Sequence, residues 1–449
     1  MKAAVLVLGA AMAYAQTPLT LQQAVETAVR DYPSVRVSRE QIDAAAAAIR
    51  LARTAYLPRV DALAQVNRAT RNNLLGLLLP NSVIPSISGP VLGTNNIHTA
   101  WGSAVGVLVT WEPFDFGLRQ ASVSIAKAAE AHSEAELQRT RFEVASQAAD
   151  AYLTVVAAQE TVRAAQAGVD RAETVLRTIN AQVNAELRPG ADAARARAEV
   201  AAARTQLIQA QEAVEVAGAT LSQFVGKDAA VISAPKLGSL PPAQTPGPVN
   251  LAANPIAVEQ SAAVAQERAR LRALERTYFP HFYVQGAAYA RGTGAETNGG
   301  LLGGANGLAP NVQNYAAGLT VTFPVFDLPS IHAREMQQSA TIRAEEARAQ
   351  QIAVELRARW NSAVATLRGA RNVAANTPVQ VSAARAAVEQ STARYQAGLT
   401  VIDDVAEAQR LVTQAEIDDA LARLGVWRAL LGVAVAAGDI TPFIAEAGE

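Results

Sequence analysis

The sequence predicts a mainly α-helical protein with some β-structure, in which long coiled-coil hairpins accompany four β-strands. Three observations lead to this fold class: the chain is internally duplicated, it carries long seven-residue hydrophobic repeats, and it contains strand-length segments that alternate between apolar and other residues. Half of its 449 residues are hydrophobic but only 5% are aromatic. Because Ala supplies much of the apolar share, this composition favours long, closely packed helices.

The duplication is visible as short segments that recur in the same order. Tyr56–Pro58 recurs as Tyr278–Pro280, 222 positions later, and Val109–Asp115 recurs as Val321–Asp327, at an offset of 212. A proline-rich stretch that cannot be helical separates the two copies. Ordered recurrence of several markers indicates a true repeat. The predicted divisions are a signal peptide at 1–15, a first structural repeat at 16–226, a linker at 227–250 and a second structural repeat at 251–449.

Each repeat is predicted to begin with an amphipathic helix and two strands. The helices cover 21–55 and 255–277, and a proline follows each of them. The strands alternate, as in Trp101, Ser103, Val105, Val107, Val109 and Trp111. Strands of about ten residues with aromatic ends match those that cross an outer membrane. A pair of soluble hairpins is the alternative interpretation of the same segments.

A long helical hairpin is predicted to follow the strands in each repeat. One apolar seam of the first long helix repeats every seven residues, at Val155, Val162, Val169, Leu176 and Val183. A second seam holds Ala151, Ala158, Ala165, Ala172 and Ile179. Seven-residue periods indicate supercoiled helices. The predicted reversals are Arg188–Gly190 and Ala397–Leu399, from which helices return over 193–224 and 405–435.

Four strands cannot close a barrel, and open strand edges are not tolerated in lipid. Three chains would supply twelve strands, enough to leave a lumen. The sequence therefore predicts a homotrimer whose 12-stranded transmembrane β-barrel contacts outer-membrane lipid. The coiled coils would continue the barrel as a tube, with the reversals at its far tip.

Export is expected from the first residues of the chain. Lys2 precedes an apolar run, and Ala13–Ala15 is a small-residue cleavage motif. The rest of the sequence has no uninterrupted run of 18 apolar residues, from which no transmembrane helix is expected. Cys is absent, so a lipid-modified cysteine is excluded.

No catalytic, cofactor or metal motif is found in the sequence. It lacks a phosphate-binding loop, and its four His form no metal-binding pattern. A net charge of -1 without a basic stripe argues against a nucleic-acid partner. These features favour a protein without enzymatic chemistry.

The order of elements and two segments resemble the TolC family of outer-membrane efflux proteins. Leu19–Val25, followed by Pro33, resembles the family's opening, and Arg394–Thr400, followed by Asp404, resembles its second hairpin tip. The resemblance implies a passive conduit from periplasm to exterior that works with a periplasmic adaptor protein and an inner-membrane transporter. Residues that would dock the adaptor are Gly398, Leu399 and Thr400, with Pro189 and Gly190 at the first tip.

A channel constriction is expected just beyond the second tip. Asp404 and Glu407 lie three residues apart, so they share one helix face. Three chains would bring six such carboxylates together, where like charges attract cations. The resemblance implies that acidic residues ring a closed entrance and that Tyr395 and Asp192 tie neighbouring helices together. The sequence departs from the family's pattern in two places. Thr400 stands where the family has a basic residue, and alignment of the first tip on the second needs a short deletion.

Two other classes of protein fit parts of the pattern. A secreted coiled-coil structural or surface protein without channel activity would share the heptads but does not need aromatic-ended strands. A helical-bundle enzyme would need convergent His or carboxylate side chains facing a core, whereas the seams hold Val, Leu and Ala.

Overall fold

The structure, a computed structural model, describes residues 18–70, 98–186, 188–226, 232, 237–242, 246–247, 249–296 and 300–448. The predicted signal peptide and most of the predicted linker lie outside the described residues. The helices are α1 (Leu21–Asp31), α2 (Pro33–Thr54), α3 (Leu118–Asn184), α4 (Gly190–Val225), α5 (Pro255–Arg276), α6 (Leu328–Gln396), α7 (Ile402–Ala437) and α8 (Thr441–Gly448). The strands are β1 (Arg59–Thr70), β2 (Thr99–Phe114), β3 (His281–Thr293) and β4 (Val312–Thr322).

The chain divides into two compact units, and each takes segments from both predicted repeats. The first unit, the coil unit, comprises residues 1–41, 133–261 and 347–449. The second, the sheet unit, comprises residues 42–132 and 262–346. The order helix, two strands, long helix, returning helix occurs in both halves of the chain.

The first predicted helix is interrupted, which corrects the expectation of a continuous helix over 21–55. Helix α1 begins with a capping box, in which Thr20 and Gln23 exchange side-chain and backbone hydrogen bonds. It ends at Tyr32, whose backbone is extended, with ψ 134°. The cause is Pro33, because proline disfavours helical geometry in the preceding residue but fits the first turn of a new helix.

Heptad seams pack the helices of the coil unit. In α3, Val155, Val169 and Ile179 are buried, as are their seam neighbours Ala165 and Ala172. In α6 the buried seam residues are Leu367, Ala374, Thr377, Ala384 and Tyr395. Four other positions of the α3 seams are half-buried: Ala158, Val162, Leu176 and Val183. Burial concentrated on these seams is the packing that the seven-residue period predicted.

The sheet is antiparallel throughout, in the order β1-β2-β3-β4. One row of partners is Arg59, Thr110, Gln285 and Gly318, and it fixes which residues share a face. That polar face carries Arg59, Asp61, Gln65, Asn67, Thr110, Gln285, Arg291, Asn314 and Thr320. The opposite face carries apolar side chains that are exposed: Val60, Val66, Val105, Val107, Trp111, Val284, Tyr315, Leu319 and Val321. Within the described sheet, β1 and β4 are edge strands.

Strands β2 and β3 approach unusually closely on the polar face at Gly106. A Cβ added to Gly106 would lie 2.4 Å from the Cβ of Tyr289 and 2.8 Å from the carbonyl oxygen of Ala288. Leu63 and Tyr289 pack here against Ala104. Glycine in a strand often marks a site where another backbone approaches closely, and any side chain at Gly106 would force the two strands apart.

Two C-terminal features were missed by the sequence analysis. Helix α8 was not predicted; its Phe443 packs edge-to-face on Trp427 at 6.4 Å between ring centroids. Among the described helices, α7 is long and apolar enough to cross a membrane, with a window of mean hydropathy 1.5. The expectation of no such helix rested on uninterrupted apolar runs. Because α7 buries Val405, Val412 and Val426 in the coil, we assign its apolar character to packing.

Candidate functional site at the hairpin tips

Two helical reversals define the candidate site: the first tip, residues 185–189, joins α3 to α4, and the second tip, residues 397–401, joins α6 to α7. Each reversal contains a left-handed residue, Glu186 with φ 60° and Gly398 with φ 77°. The N-caps of the returning helices are Pro189 and Val401. Both pairs are 212 residues apart, so the tips align without a gap. The predicted deletion was wrong because it matched Gly190 to Gly398, whereas Gly190 is the first residue of α4.

The structure brings Tyr395 and Asp192 into contact. The Tyr395 hydroxyl donates a hydrogen bond of 2.9 Å to Asp192 Oδ2. The tyrosine is only 4% exposed and packs with Ile179, Ala196 and Val405, which come from α3, α4 and α7. Burial, and then the hydrogen bond and charge of Asp192, raise the pKa of Tyr395 to about 12. The phenol therefore stays neutral and able to donate at physiological pH.

Arg188 completes this contact and was not identified from the sequence. Its guanidinium lies 4.3 Å from the centroid of the Tyr395 ring and donates a hydrogen bond to the Tyr395 carbonyl oxygen. The first tip thus holds the ring of the second tip from one side while Asp192 holds its hydroxyl. A basic residue beside Tyr395 is therefore present, although it comes from the first hairpin and not from position 400.

An ion pair close to these contacts also links the two hairpins. Arg195 of α4 pairs with Asp403 of α7, and both side chains are about half exposed. Asp403 was overlooked because the sequence analysis singled out its neighbour Asp404. Both Asp403 and Asp404 lie in the first turn of α7, where the helix dipole favours negative charge.

The predicted constriction residues Asp404 and Glu407 are both exposed on α7. Asp404 accepts a hydrogen bond from the Thr400 hydroxyl. Glu407 is 77% exposed at its side chain and pairs with Arg410 at 3.0 Å. Within one chain, both carboxylates are therefore exposed to solvent. The bonds just named join them only to residues of the second hairpin.

The predicted docking residues lie at the surface. Leu399 is 70% exposed and its neighbour Val401 is 61% exposed. Pro189 and Gly190 are also exposed. Two apolar side chains at one reversal form a small surface that a partner protein could cover. Across the described residues, no group of three or more His, Asp or Glu side chains could hold a metal ion.

The model of one protein family, the outer membrane efflux proteins, matches residues 9–227 and 250–439. The chain belongs to this family. The membership confirms the resemblance to TolC-family proteins and places the chain in the outer membrane, as a channel subunit of efflux systems. The family is one of channel-forming outer-membrane efflux proteins, and the alternative of a secreted structural protein is not supported. No curated protein matches the sequence closely enough to count as a relative.

Solved outer-membrane channels share the fold of this efflux protein. The CmeC channel of Campylobacter jejuni has a TM-score of 0.73 at 16% identity, with 93% of this chain and 85% of CmeC covered. A membrane protein from Pseudomonas aeruginosa has a TM-score of 0.74 at 20% identity, with 93% of each chain covered. The open MtrE channel of Neisseria gonorrhoeae has a TM-score of 0.72 at 19% identity, covering 94% of this chain and 89% of MtrE.

Proposed function

We propose that three copies of this chain close a 12-stranded barrel in the outer membrane and form one continuous export conduit. The observation that carries the proposal is the two-faced sheet, with exposed valines and aromatics on one side and polar side chains on the other. In a closed barrel the apolar face contacts lipid and the polar face lines water. Edge strands β1 and β4 of neighbouring chains would pair, which satisfies their backbone groups in lipid.

The hairpin tips form the periplasmic entrance of this conduit. Asp404 and Glu407 of three chains line the narrow point, and they attract cations there. The bonds that Tyr395 makes with Asp192 and Arg188 hold the second hairpin against the first and keep the entrance narrow. Leu399, Gly398 and Thr400 dock a periplasmic adaptor protein, and the first tip at Pro189 and Gly190 docks it as well, since both tips have the same backbone geometry.

An inner-membrane transporter supplies the energy for export through that adaptor. The chain itself has no phosphate-binding loop from which it could draw energy. Export by this protein is therefore passive, and the cargo is selected by the transporter and the adaptor.

Single-channel recording tests the proposed entrance. Trivalent cations added on the periplasmic side should block the wild-type channel, and an Asp404→Ala, Glu407→Ala double variant should lose that block. A matched double variant at exposed carboxylates elsewhere, Asp43→Ala with Glu355→Ala, should keep it. Equal block in all three proteins would contradict an acidic ring at these residues.

A further inference from the structure

The apolar seam between α6 and α7 is interrupted at one layer. One cluster of buried residues comprises Leu367, Ala374, Val426 and Ala429. A separate cluster comprises Ala384, Val412 and Ala415. Between the two lie Thr377 on α6 and Asp419 on α7, which are 5% and 9% exposed. A buried polar pair therefore replaces apolar packing at a heptad position.

Charge-assisted hydrogen bonds hold this layer together. The Thr377 hydroxyl donates to Asp419 Oδ1 at 2.7 Å. Arg423 donates to Asp419 Oδ2 at 2.5 Å, and its side chain is 36% exposed. A carboxylate buried in a seam is costly to desolvate even when it is paired, and it stabilises the seam less than well-packed apolar residues do. Both oxygens of Asp419 thus have hydrogen-bond partners, but the layer stabilises the coil less than the apolar clusters on either side of it do.

Pro378 follows Thr377 and weakens the same layer in the backbone. It lies inside the 69-residue helix α6. Because proline has no N–H, the carbonyl of Ala374 has no helical hydrogen-bond partner there. Proline is the commonest cause of a bend in a long helix. The backbone defect and the side-chain defect therefore coincide.

The first coil lacks both defects, and the duplication makes the comparison direct. At an offset of 212, Thr377, Pro378 and Asp419 correspond to Ala165, Gln166 and Leu207. The corresponding seam of α4 is apolar throughout, at Val200, Leu207, Val214 and Leu221. Of the two coils, only the second carries the polar layer with a proline beside it.

We propose that Thr377, Pro378 and Asp419 form a hinge in the second coiled coil. The segment between this layer and the second tip bends there as a unit, while the rest of α6 and α7 keeps its packing. The bend is a property of the chain itself. That bending at this hinge moves Tyr395 and the acidic residues of the channel entrance is a further claim, and that claim rests on the proposed function.

Hydrogen exchange of the purified full chain in detergent tests the hinge. Backbone amides of residues 370–382 should exchange about tenfold faster than those of the matching segment 158–170, because local opening costs less at a weakened layer. The triple variant Thr377→Ala, Pro378→Gln, Asp419→Leu gives the second coil the residues of the first. Its exchange over 370–382 should slow to the rate of the first coil. A Thr366→Ala substitution on the exposed face of α6 is the control and should change nothing.

Equal exchange of the two segments in the wild type would overturn the proposal, as would a triple variant that exchanges as fast as the wild type. If the triple variant does not fold, the comparison of the two segments in the wild type still tests the hinge. The single variant Pro378→Gln tests it as well, and its exchange over 370–382 should be slower than that of the wild type. Single-channel recordings report on the use of the hinge: the triple variant should switch between conductance levels less often. A wild type that forms no channel would contradict the proposed function, and the exchange data would still test the hinge.

Discussion

The Tyr395 hydroxyl of the second hairpin donates a hydrogen bond to Asp192 of the first hairpin, a residue 203 positions earlier in the chain. The ring is fixed by Arg188 on one side and by the apolar cluster of the tips on the other. Tyr395 therefore joins the second hairpin to both Asp192 and Arg188 of the first.

Loss of the Tyr395 hydroxyl should loosen the entrance. The Tyr395→Phe variant keeps the packed ring but loses one hydrogen bond to a charged acceptor, which contributes about 1.5–3 kcal/mol. We expect a higher mean single-channel conductance than in the wild type. Tyr278→Phe is the matched control, because it removes a bond of 2.8 Å between a tyrosine hydroxyl and Glu335 in the sheet unit. The interpretation fails if both variants conduct as the wild type does.

Arg188 should be as important as Asp192 for holding Tyr395 in place. Arg188→Ala removes the cation–π contact, worth about 1 kcal/mol, and the bond to the Tyr395 carbonyl oxygen. Conductance should rise, and Arg188→Lys should restore it only in part, because an ammonium group does not stack as a planar guanidinium does. Arg177→Ala, which removes an exposed arginine of α3, should leave conductance unchanged. Full rescue by lysine would mean that charge alone acts at this position.

Alkaline pH should weaken the contact between the tips. The pKa of Tyr395 is raised to about 12, above the value of about 10 for an exposed tyrosine. The stability that this raised pKa contributes is complete below pH 10 and is lost as the pH rises toward 12. Ultraviolet titration should show one tyrosine fewer ionising near pH 12 in Tyr395→Phe than in the wild type. A missing transition near pH 10 instead would show that Tyr395 is not shielded.

The equivalence of Glu186 and Gly398, the left-handed residues of the two tips, can be tested by substitution. Glu186 adopts φ 60°, which costs a residue with a Cβ about 1–2 kcal/mol and costs glycine almost nothing. Glu186→Gly should therefore raise the thermal unfolding midpoint, whereas Gly398→Ala should lower it. Glu186→Gln keeps the backbone cost while it removes the charge, and it should leave the midpoint unchanged. A gain with glutamine equal to the gain with glycine would locate the effect in charge.

The close approach of β2 and β3 should depend on Gly106. Gly106→Val places atoms within contact distance of Tyr289 and of the backbone at Ala288, so β2 and β3 must separate there. We expect loss of folded protein from the outer membrane, measured by heat-modifiable migration on a gel. Gly318→Ala is the control, since a Cβ there meets no atom within 4 Å. Normal membrane levels of Gly106→Val would show that this close approach is not needed.

The long helices and the strands could be predicted because their periods extend over many residues. The seam of α3 and the alternation of β2 each rest on several equivalent positions, so a single irregular residue does not hide them. The break at Tyr32 was missed although Pro33 marks it in the sequence, because the helical period was followed across the proline. The short helix α8 was missed because it depends on a few contacts, such as that of Phe443 with Trp427.

The tips could be predicted only in part. Glycine marked the left-handed turn at Gly398, but Glu186 adopts the same conformation without a glycine, and the sequence analysis consequently misplaced the first tip. Arg188 was missed because its role depends on a contact with a ring 207 residues away, which no local pattern reveals.

The mass and the conductance of the detergent-solubilised protein test the central proposal most directly. The protomer has a mass of 47.0 kDa before any leader is removed. Native mass spectrometry should give three times the mass of the mature protomer, and the same preparation should form ion-conducting channels in planar bilayers. A monodisperse monomer that still conducts ions would contradict the trimeric conduit.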